Sequence, residues 1–362
     1  MTFDYTGTYT AAFAADGQQA DTQGESIEAT ETDQNAILAQ NAGTAVLQDC
    51  TITKLGDDSD GDRCNFYGAN SIVLAVNEGS QVVLGGCTLS ATSEGSNGVF
   101  ATDSGMAFVN DCGIDTSAGN SRGLDATYAG IVVASQVDIA TEGDHCAAVA
   151  TDRGGGTISV VGGTFSTAGS GSPLLYSTPN TVLDFDSASS KLAYVAGNDA
   201  NNWGTPGSNG AQVNFTATNQ QLAGDVCADT TSTLSLYLLN GSIWSGSASI
   251  EGSVNGATSS APLSVNVDGS STWTVTSDAH LSALGVATGG SIVDTDGNTA
   301  TIVAGGQTVV QGSSSVTVTV DGDYTSDFVM SSANELATET YDRSAFDEYF
   351  STSTAWTMGQ VA

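Results

Sequence analysis

Hydrophobic residues recur in short alternating runs through the N-terminal half of the chain, and five of these runs align with one another. The aligned runs are TAVLQDCTITK from Thr44, QVVLGGCTLSA from Gln81, MAFVNDCGIDT from Met106, IVVASQVDIAT from Ile131 and TISVVGGTFST from Thr157. Their first residues lie 37, 25, 25 and 26 positions apart. A second short run precedes each of the later four. A unit of about 25 residues with two clear strands and room for a third is typical of a parallel β-helix, in which each strand stacks on its counterpart one coil earlier.

This repeat predicts an all-β chain folded as a right-handed parallel β-helix over residues 1–335, with regular coils from about 35 to 200 and looser coils from 200 to 335. Residues 336–362 are predicted to form a C-terminal cap or tail. The segment SANELATETYDRSAFDEYF has a spacing compatible with a helix that would cover the open last coil. The 37-residue step is one coil plus about twelve residues, which predicts an acidic loop near residues 56–66.

Alternation along the strands predicts which side chains face inward. In the first strand of each coil, the inward residues are predicted to be Ile72, Leu74, Val99, Ala101, Leu124, Ala126, Ala148, Ala150, Leu174 and Tyr176. In the second strand, they are predicted to be Val83, Phe108, Val133 and Val160.

The cysteines divide into an aligned set and a scattered set. Cys50, Cys87 and Cys112 occupy one column of the repeat, which Val137 and Thr164 continue. A valine in the column favours an inward stack of small apolar side chains over a metal site. The remaining Cys64, Cys146 and Cys227 match no C-x-x-C pattern, so disulfides among them stay open.

The net charge of the chain restricts the classes of partner that it can bind. The chain has 6 Lys and Arg against 40 Asp and Glu, a formal net charge of -34. Such a field repels nucleic acid and anionic lipid, and no run of eighteen apolar residues would span a bilayer. The low lysine content and the abundance of Ser, Thr and Gly favour an extracellular or cell-surface protein. The first residues lack the features of a signal peptide, so we expect that an export signal is missing from this sequence.

Three segments resemble known surface proteins. RGLDATYAG (122–130), HCAAVATDRGGGTISV (145–160) and STAGSGSPLLYST (166–178) are similar to β-helix repeats of adhesin-like surface proteins from gut-associated bacteria, within the wider pectate-lyase-like superfamily. GSSTWTVTSDAHLSAL (269–284) resembles the coil ends of autotransporter-type passenger domains. The resemblance covers about 140 residues and implies a fold more than an activity.

Rare residue types concentrate on adjacent coils. The alignment places Asp103, Tyr128 and Asp152 in one outward column, and Phe100, Asp125, Val149 and Leu175 in another. The candidate ligand-binding residues are Phe100, Asp103, Asp125, Tyr128, Asp152 and Arg153, with the aromatic rings stacking on sugars. The candidate catalytic residues are Asp103, Asp125 and Asp152 with Arg122, Arg153 and His145, because β-helix glycosidases use paired carboxylates. The alternative is that the arginines pair with aspartates across coils and relieve repulsion.

The acidic loop is also a candidate calcium site. Asp57, Asp58, Asp60 and Asp62 alternate around Gly61, and hard oxygen ligands at this spacing suit Ca²⁺. The loop lacks the Glu that would complete an EF-hand, and the same residues also form ordinary turns.

Three functions follow from this sequence. The first is an adhesin-like module that binds a glycan or another cell-surface ligand through its outward side-chain ladder. The second is a polysaccharide hydrolase or lyase, and the third is a structural spacer. A lateral groove over the third to fifth coils would favour ligand binding, whereas a smooth surface would favour the spacer.

Overall fold

The computed structural model describes residues 2–169, 172–177, 191–195, 212–251, 261–327 and 342–354. The described residues are all-β and about 5% helical, and they form a parallel β-solenoid with turns of about 25 residues and a short C-terminal helix, as the sequence predicts. It divides into two compact units. The first contains the described residues up to Ser177 together with 342–354, and the second contains those from 191 to 327.

The first unit is built from short strands and two helices. Its elements are β1 Thr10–Asp16, β2 Gln19–Gln23, β3 Ser26–Ala29, β4 Gln34–Gln40, β5 Thr44–Gln48, β6 Thr51–Lys54, α1 Gly61–Tyr67, β7 Val73–Val76, β8 Gln81–Gly85, β9 Thr88–Ala91, β10 Val99–Thr102, β11 Met106–Thr116, β12 Leu124–Ala126, β13 Gly130–Thr141, β14 Val149–Thr151, β15 Gly156–Thr167, β16 Leu175–Ser177 and α2 Ser344–Phe350. In what we call the first sheet, β1, β4, β7, β10, β12, β14 and β16 stack in that order. The second sheet contains the other strands, and β11 pairs with β8, β9 and β13.

The register of the second sheet confirms the sequence repeat. Thr44 lies opposite Gln81, which lies opposite Met106. Met106 lies opposite Ile131, which lies opposite Thr157. The sequence alignment missed an earlier coil, in which β2 pairs with β5. The polar run QADTQ gave no hydrophobic signal for it.

The core lies between the sheets, and the predicted faces are correct only in part. Ile72, Val99, Ala101, Leu124, Ala126 and Ala148 belong to the buried core, and Leu174 and Val160 pack against it. Leu74 lies instead on the outer side of the first sheet with Phe100. Ala150 and Tyr176 follow Asp125 in that outer column. The sequence alignment was one residue out of register at these coils.

The second strand was assigned with the wrong parity on three of its four coils, and only Val160 was assigned correctly. Val82, Leu84 and Val109 fill the core, whereas Val83, Phe108 and Val133 form a separate buried cluster outside the sheet. These strands are apolar on both faces, so alternation could not identify the inner one. The outer face of these strands is apolar because α2 covers it, with Phe346 packed against the strand residues.

Helix α2 therefore lies against the outer face of the second sheet, at the side of the first unit. Phe346 is fully buried and meets Phe108 edge to face, with ring centroids 5.7 Å apart. Arg343 precedes the helix, and its guanidinium donates to the carbonyl oxygens of Ser159 at 2.9 Å and Ala134 at 2.8 Å. The C-terminal helix itself was predicted correctly, but its location was not.

The cysteine column is confirmed. Cys50, Cys87, Cys112 and Val137 all belong to the core, and Val137 pairs with Cys112. Gly163, rather than Thr164, lies opposite Val137. All six cysteines are free thiols.

The second unit has coils of less regular length. Its strands are β17 Lys191–Val195, β18 Gln212–Thr218, β19 Gln221–Ala223, β20 Asp225–Asp229, β21 Thr233–Leu239, β22 Ile243–Gly246, β23 Ala248–Glu251, β24 Leu263–Val267, β25 Thr272–Val275, β26 Ala279–Leu281, β27 Ala283–Val286, β28 Ser291–Val293, β29 Thr301–Ala304, β30 Gln307–Val310, β31 Thr317–Val320 and β32 Tyr324–Thr325. Trp244 and Trp273 stack at its centre, with ring centroids 4.6 Å apart. Each indole N–H donates to a glycine carbonyl, so the polar atom of each buried ring is satisfied.

We predict that Phe346→Ala lowers the free energy of unfolding of the first unit by about 3 kcal/mol, because it removes a fully buried ring. Urea denaturation followed by far-ultraviolet circular dichroism measures the change. Tyr349→Ala is the matched control, since Tyr349 lies on the same helix but is 45% exposed. Equal losses in the two variants would show that α2 is not held by its buried face.

Candidate functional site

Four buried side chains form what we call the Arg122 cluster, on the outer side of the first sheet. It contains Arg122, Asp125, Asp152 and Tyr176. Nη1 of Arg122 lies 2.6 Å from Oδ2 of Asp125, and Nη2 lies 3.5 Å from Oδ2 of Asp152. The guanidinium carbon lies 5.4 Å from the centre of the Tyr176 ring. Each of these side chains is at most 10% exposed.

Strand pairing explains why the cluster forms. Asp125 lies on β12, between Phe100 of β10 and Ala150 of β14, and Tyr176 follows on β16. The prediction that Asp125 is an outward carboxylate between apolar neighbours is therefore correct. The neighbour is Ala150, however, not Val149.

Helix α1 covers the cluster. The 37-residue step does contain an insertion, but residues 61–67 fold as a helix rather than an open loop. The carbonyl oxygen of Asn65 accepts from Arg122 at 3.4 Å, and that of Phe66 accepts from Thr127 Oγ1 at 2.9 Å. The guanidinium carbon of Arg153 lies 3.6 Å from the centre of the Phe66 ring, a cation–π contact.

Aromatic residues from the N-terminal segment complete the cover. Tyr67 of α1 stacks on Tyr128 with ring centroids 5.6 Å apart, and Tyr5 stacks on the Tyr67 ring at 5.1 Å. Phe3 meets Tyr128 edge to face. Tyr128 is only 6% exposed as a result.

The two carboxylates of the cluster carry raised pKa values. Burial raises the pKa of Asp125 to about 6, although the adjacent Arg122 opposes the shift. Burial also raises the pKa of Asp152 to about 7, with Arg122 opposing and the negative charge of Asp125 adding to the rise. Oδ1 of Asp125 is buried without a hydrogen-bond partner in the described part of the chain. One arginine between two buried carboxylates therefore leaves a site that readily binds a proton near neutral pH.

Most of the sequence-predicted residues come together here, though not in the predicted columns. Ala126 lies opposite Thr151, so Asp152 lies opposite Thr127. The N–H of Tyr128 donates to the carbonyl oxygen of Arg153, and Gly154 shares the left-handed backbone of Tyr128, so Gly154 rather than Asp152 continues the Tyr128 column. The step between coils lengthens from 25 to 26 residues at the following turn, where Gly130 pairs with Gly156. Alignment on the glycines displaced Asp152 by one position.

Some of the predicted ligand-binding residues are buried, and others are partly exposed to solvent. Phe100 and Asp125 are fully buried, and Asp152 is 5% exposed. Asp103 and Arg153 are partly exposed at the margin. Burial also raises the pKa of Asp103. The predicted side chains are thus close together, but α1 and the N-terminal aromatic residues cover the surface on which a ligand would bind.

His145 lies at a different place, in what we call the edge groove. This groove is shallow, has a volume of about 490 Å³ and crosses three successive coils. Its lining residues are Glu94, Ser117, Gly119, Asn120, Glu142, Gly143, Asp144 and His145. Nδ2 of Asn120 donates to Oε1 of Glu94 at 3.1 Å, which fixes two of these groups across a coil boundary.

The acidic residues of the candidate calcium loop have local structural partners. Asp60 is the N-cap of α1, with Oδ1 accepting from the N–H of Asp62 at 3.0 Å. Oδ1 of Asp57 accepts from the N–H of Glu94 at 3.0 Å. Burial raises the pKa of Asp58. Within the described ranges, no three His, Cys, Asp or Glu side chains converge as metal ligands. Calcium binding stays a prediction.

Sequence reasoning missed several residues of both sites. Asn65, Phe66 and Tyr67 lie within the inserted segment, and Tyr5 lies before the first repeat, so none has a counterpart in neighbouring coils. The sequence does contain a pattern that could have indicated the edge groove. Its polar turns SEGSNG, SAGNSRG and TEGDHC occur at matching positions after successive strands.

Comparisons with known proteins gave no match to a protein-family model, to a curated protein or to a solved structure. The parallel β-solenoid is established by the strand pairing. In the described residues, no helix has the length and apolar character needed to cross a membrane.

We predict that the Arg122 cluster makes the folded protein less stable as pH rises from about 4 to about 8. Both aspartates have raised pKa values, so the folded state binds more protons than the unfolded chain in this window, and this contribution to stability is lost at higher pH. Asp152→Asn should reduce the loss by on the order of 1–3 kcal/mol. Urea denaturation at a series of pH values measures it.

The control for this experiment is Glu78→Gln, which removes one negative charge from an exposed position. It should leave the pH dependence close to that of the wild type. The same reduction in both variants would assign the effect to the overall charge of the chain instead of the buried carboxylates.

Proposed function

We propose that this protein is a secreted or cell-surface binding module, an adhesin-like β-solenoid that binds a neutral carbohydrate chain in the edge groove without transforming it. The observation that supports the proposal is the run of hydrogen-bonding side chains across three coils at that edge. A volume of about 490 Å³ lies in the range of small-molecule sites.

The chemistry of the groove favours a polyhydroxylated ligand. Carboxylates at Glu94, Glu142 and Asp144 accept hydrogen bonds from sugar hydroxyls, and the Asn120 amide can both donate and accept. Adjacent coils are about 4.8 Å apart, so equivalent side chains repeat along the direction in which a glycan chain extends. The net charge of -34 disfavours anionic glycans.

Burial argues against the catalytic alternative. A general acid or base must lie within hydrogen-bonding distance of the substrate, yet Asp125 is fully covered and Asp152 is 5% exposed. Catalysis by these residues would require α1 and the aromatic cover to move away. The raised pKa values are explained by burial itself, without a catalytic role.

We predict that Glu142→Gln weakens binding of a neutral oligosaccharide about tenfold, because one charge-assisted hydrogen bond is lost. Screening of the wild-type protein on a glycan array identifies the oligosaccharide, and isothermal titration calorimetry measures its dissociation constant. Glu78→Gln makes the same chemical change at an exposed position outside the groove and should bind as the wild type does.

Two outcomes would contradict the proposal. Absence of binding to any neutral glycan would favour the structural spacer. Binding that Asp103→Asn abolishes but Glu142→Gln does not would move the ligand site to the margin of the Arg122 cluster.

A further inference from the structure

Three cysteines lie in register on successive coils of the first unit. Asn110 pairs with Gly85 and Gly113 pairs with Thr88, so Cys112 lies opposite Cys87. Thr51 pairs with Thr88, so Cys50 lies opposite Cys87 on its other side. All three side chains face the core and are at most 3% exposed.

The three thiols also share one orientation. Each is close to the carbonyl oxygen two residues earlier, at 3.3 Å for Cys50, 3.5 Å for Cys87 and 3.2 Å for Cys112. The residue before each cysteine has a left-handed backbone, with φ of 53° at Asp49, 63° at Gly86 and 54° at Asp111. The same bend on each coil therefore aims each sulfur along the same line.

This spacing suits a disulfide. Directly opposed residues on neighbouring parallel strands have Cα atoms about 4.8 Å apart, within the range of about 4.4–6.8 Å found for disulfides. Sγ of Cys112 accepts from the N–H of Cys87 at 3.3 Å, which places this sulfur against the neighbouring cysteine. The Cα spacing is therefore compatible with a disulfide once the side chains rotate and the coils adjust locally.

Cys87 has two cysteine neighbours, and the contacts favour Cys112. The N–H of Cys87 donates to the sulfur of Cys112, and the interaction between the two side chains lowers the pKa of Cys87 to about 7 and raises the pKa of Cys112. Cys87 is thus the thiol of the pair that ionises first, and the thiolate is the attacking species.

We propose that Cys87 and Cys112 form a disulfide between successive coils when a small-molecule disulfide oxidises the protein. The Cys87 thiolate attacks the reagent, forms a mixed disulfide and releases one small thiol. Cys112 then attacks the Cys87 sulfur of the mixed disulfide and releases the second small thiol. The two protons from the cysteines end on the released thiols, and the reagent takes up the two electrons. Local opening of the coil admits the reagent, since both sulfurs are buried.

Titration and peptide mapping test this proposal. The purified full chain is incubated with oxidised glutathione and denatured, and its thiols are counted with Ellman's reagent. We expect the count to fall from the six of the reduced protein to four, with an intact mass lower by two hydrogen atoms. Mapping after digestion at acidic residues should join the peptides that contain Cys87 and Cys112.

Valine variants provide matched controls, because Val137 occupies the same column on the next coil. Cys87→Val and Cys112→Val should keep all their thiols after oxidation, and circular dichroism verifies that they fold. Cys146→Val should still lose two, because Cys146 lies outside the column and its sulfur accepts from the N–H of Ser121.

The disulfide would close a loop in the chain, and its effect on the melting temperature provides an independent test. Oxidised wild-type protein should melt at a higher temperature than reduced protein, and Cys112→Val should show no such rise. The proposal is overturned if all six thiols survive oxidation, if the mapped bond joins Cys50 to Cys87, or if Cys87→Val still loses two thiols.

Discussion

The constraint on which the rest of the first unit depends is the vertical register of its parallel strands. Each inward side chain is buried by counterparts one coil above and below, so a coil cannot shift along the strand without exposing its apolar residues. The same constraint stacks outward residues, whether or not they have anything to bind. The Arg122 cluster, the cysteine column and the edge groove all result from residues about 25 positions apart being placed in contact.

The sequence could predict what repeats, and it could not predict what interrupts the repeat. The strand pairing follows the steps that the sequence repeat predicts, from Thr44 to Gln81, Met106, Ile131 and Thr157, because a hydrophobic run marks each of these five strands. Single-residue changes in coil length defeated the alignment around Asp152. Insertions were harder still, since α1 has no counterpart on other coils and its packing depends on contacts with Arg122 and Thr127. A strand face that a remote segment covers is as apolar as a face in the core, so the sequence does not distinguish the two.

Because α1 covers the outer face of the first sheet, the charged residues on that face are buried. Asp125 and Arg122 would be an exposed ladder if the strands alone determined their surroundings. Under α1 they become a buried ion pair, whose contribution to stability depends on the balance between attraction and desolvation. Arg122 also donates to the carbonyl oxygen of Asn65, so the pair contributes to the position of the inserted helix. Among the described residues no segment covers the edge groove, and Glu94 and Glu142 are exposed to solvent there.

The position of α2 has a consequence for how the chain reaches its final state. Val83, Phe108 and Val133 are translated more than 200 residues before Phe346, which buries them. While the ribosome makes the intervening residues, completed coils present this apolar stripe to their surroundings. Exposed apolar surface of this kind promotes association between nascent chains, and the packing of Phe346 removes it only when the last part of the chain has been made.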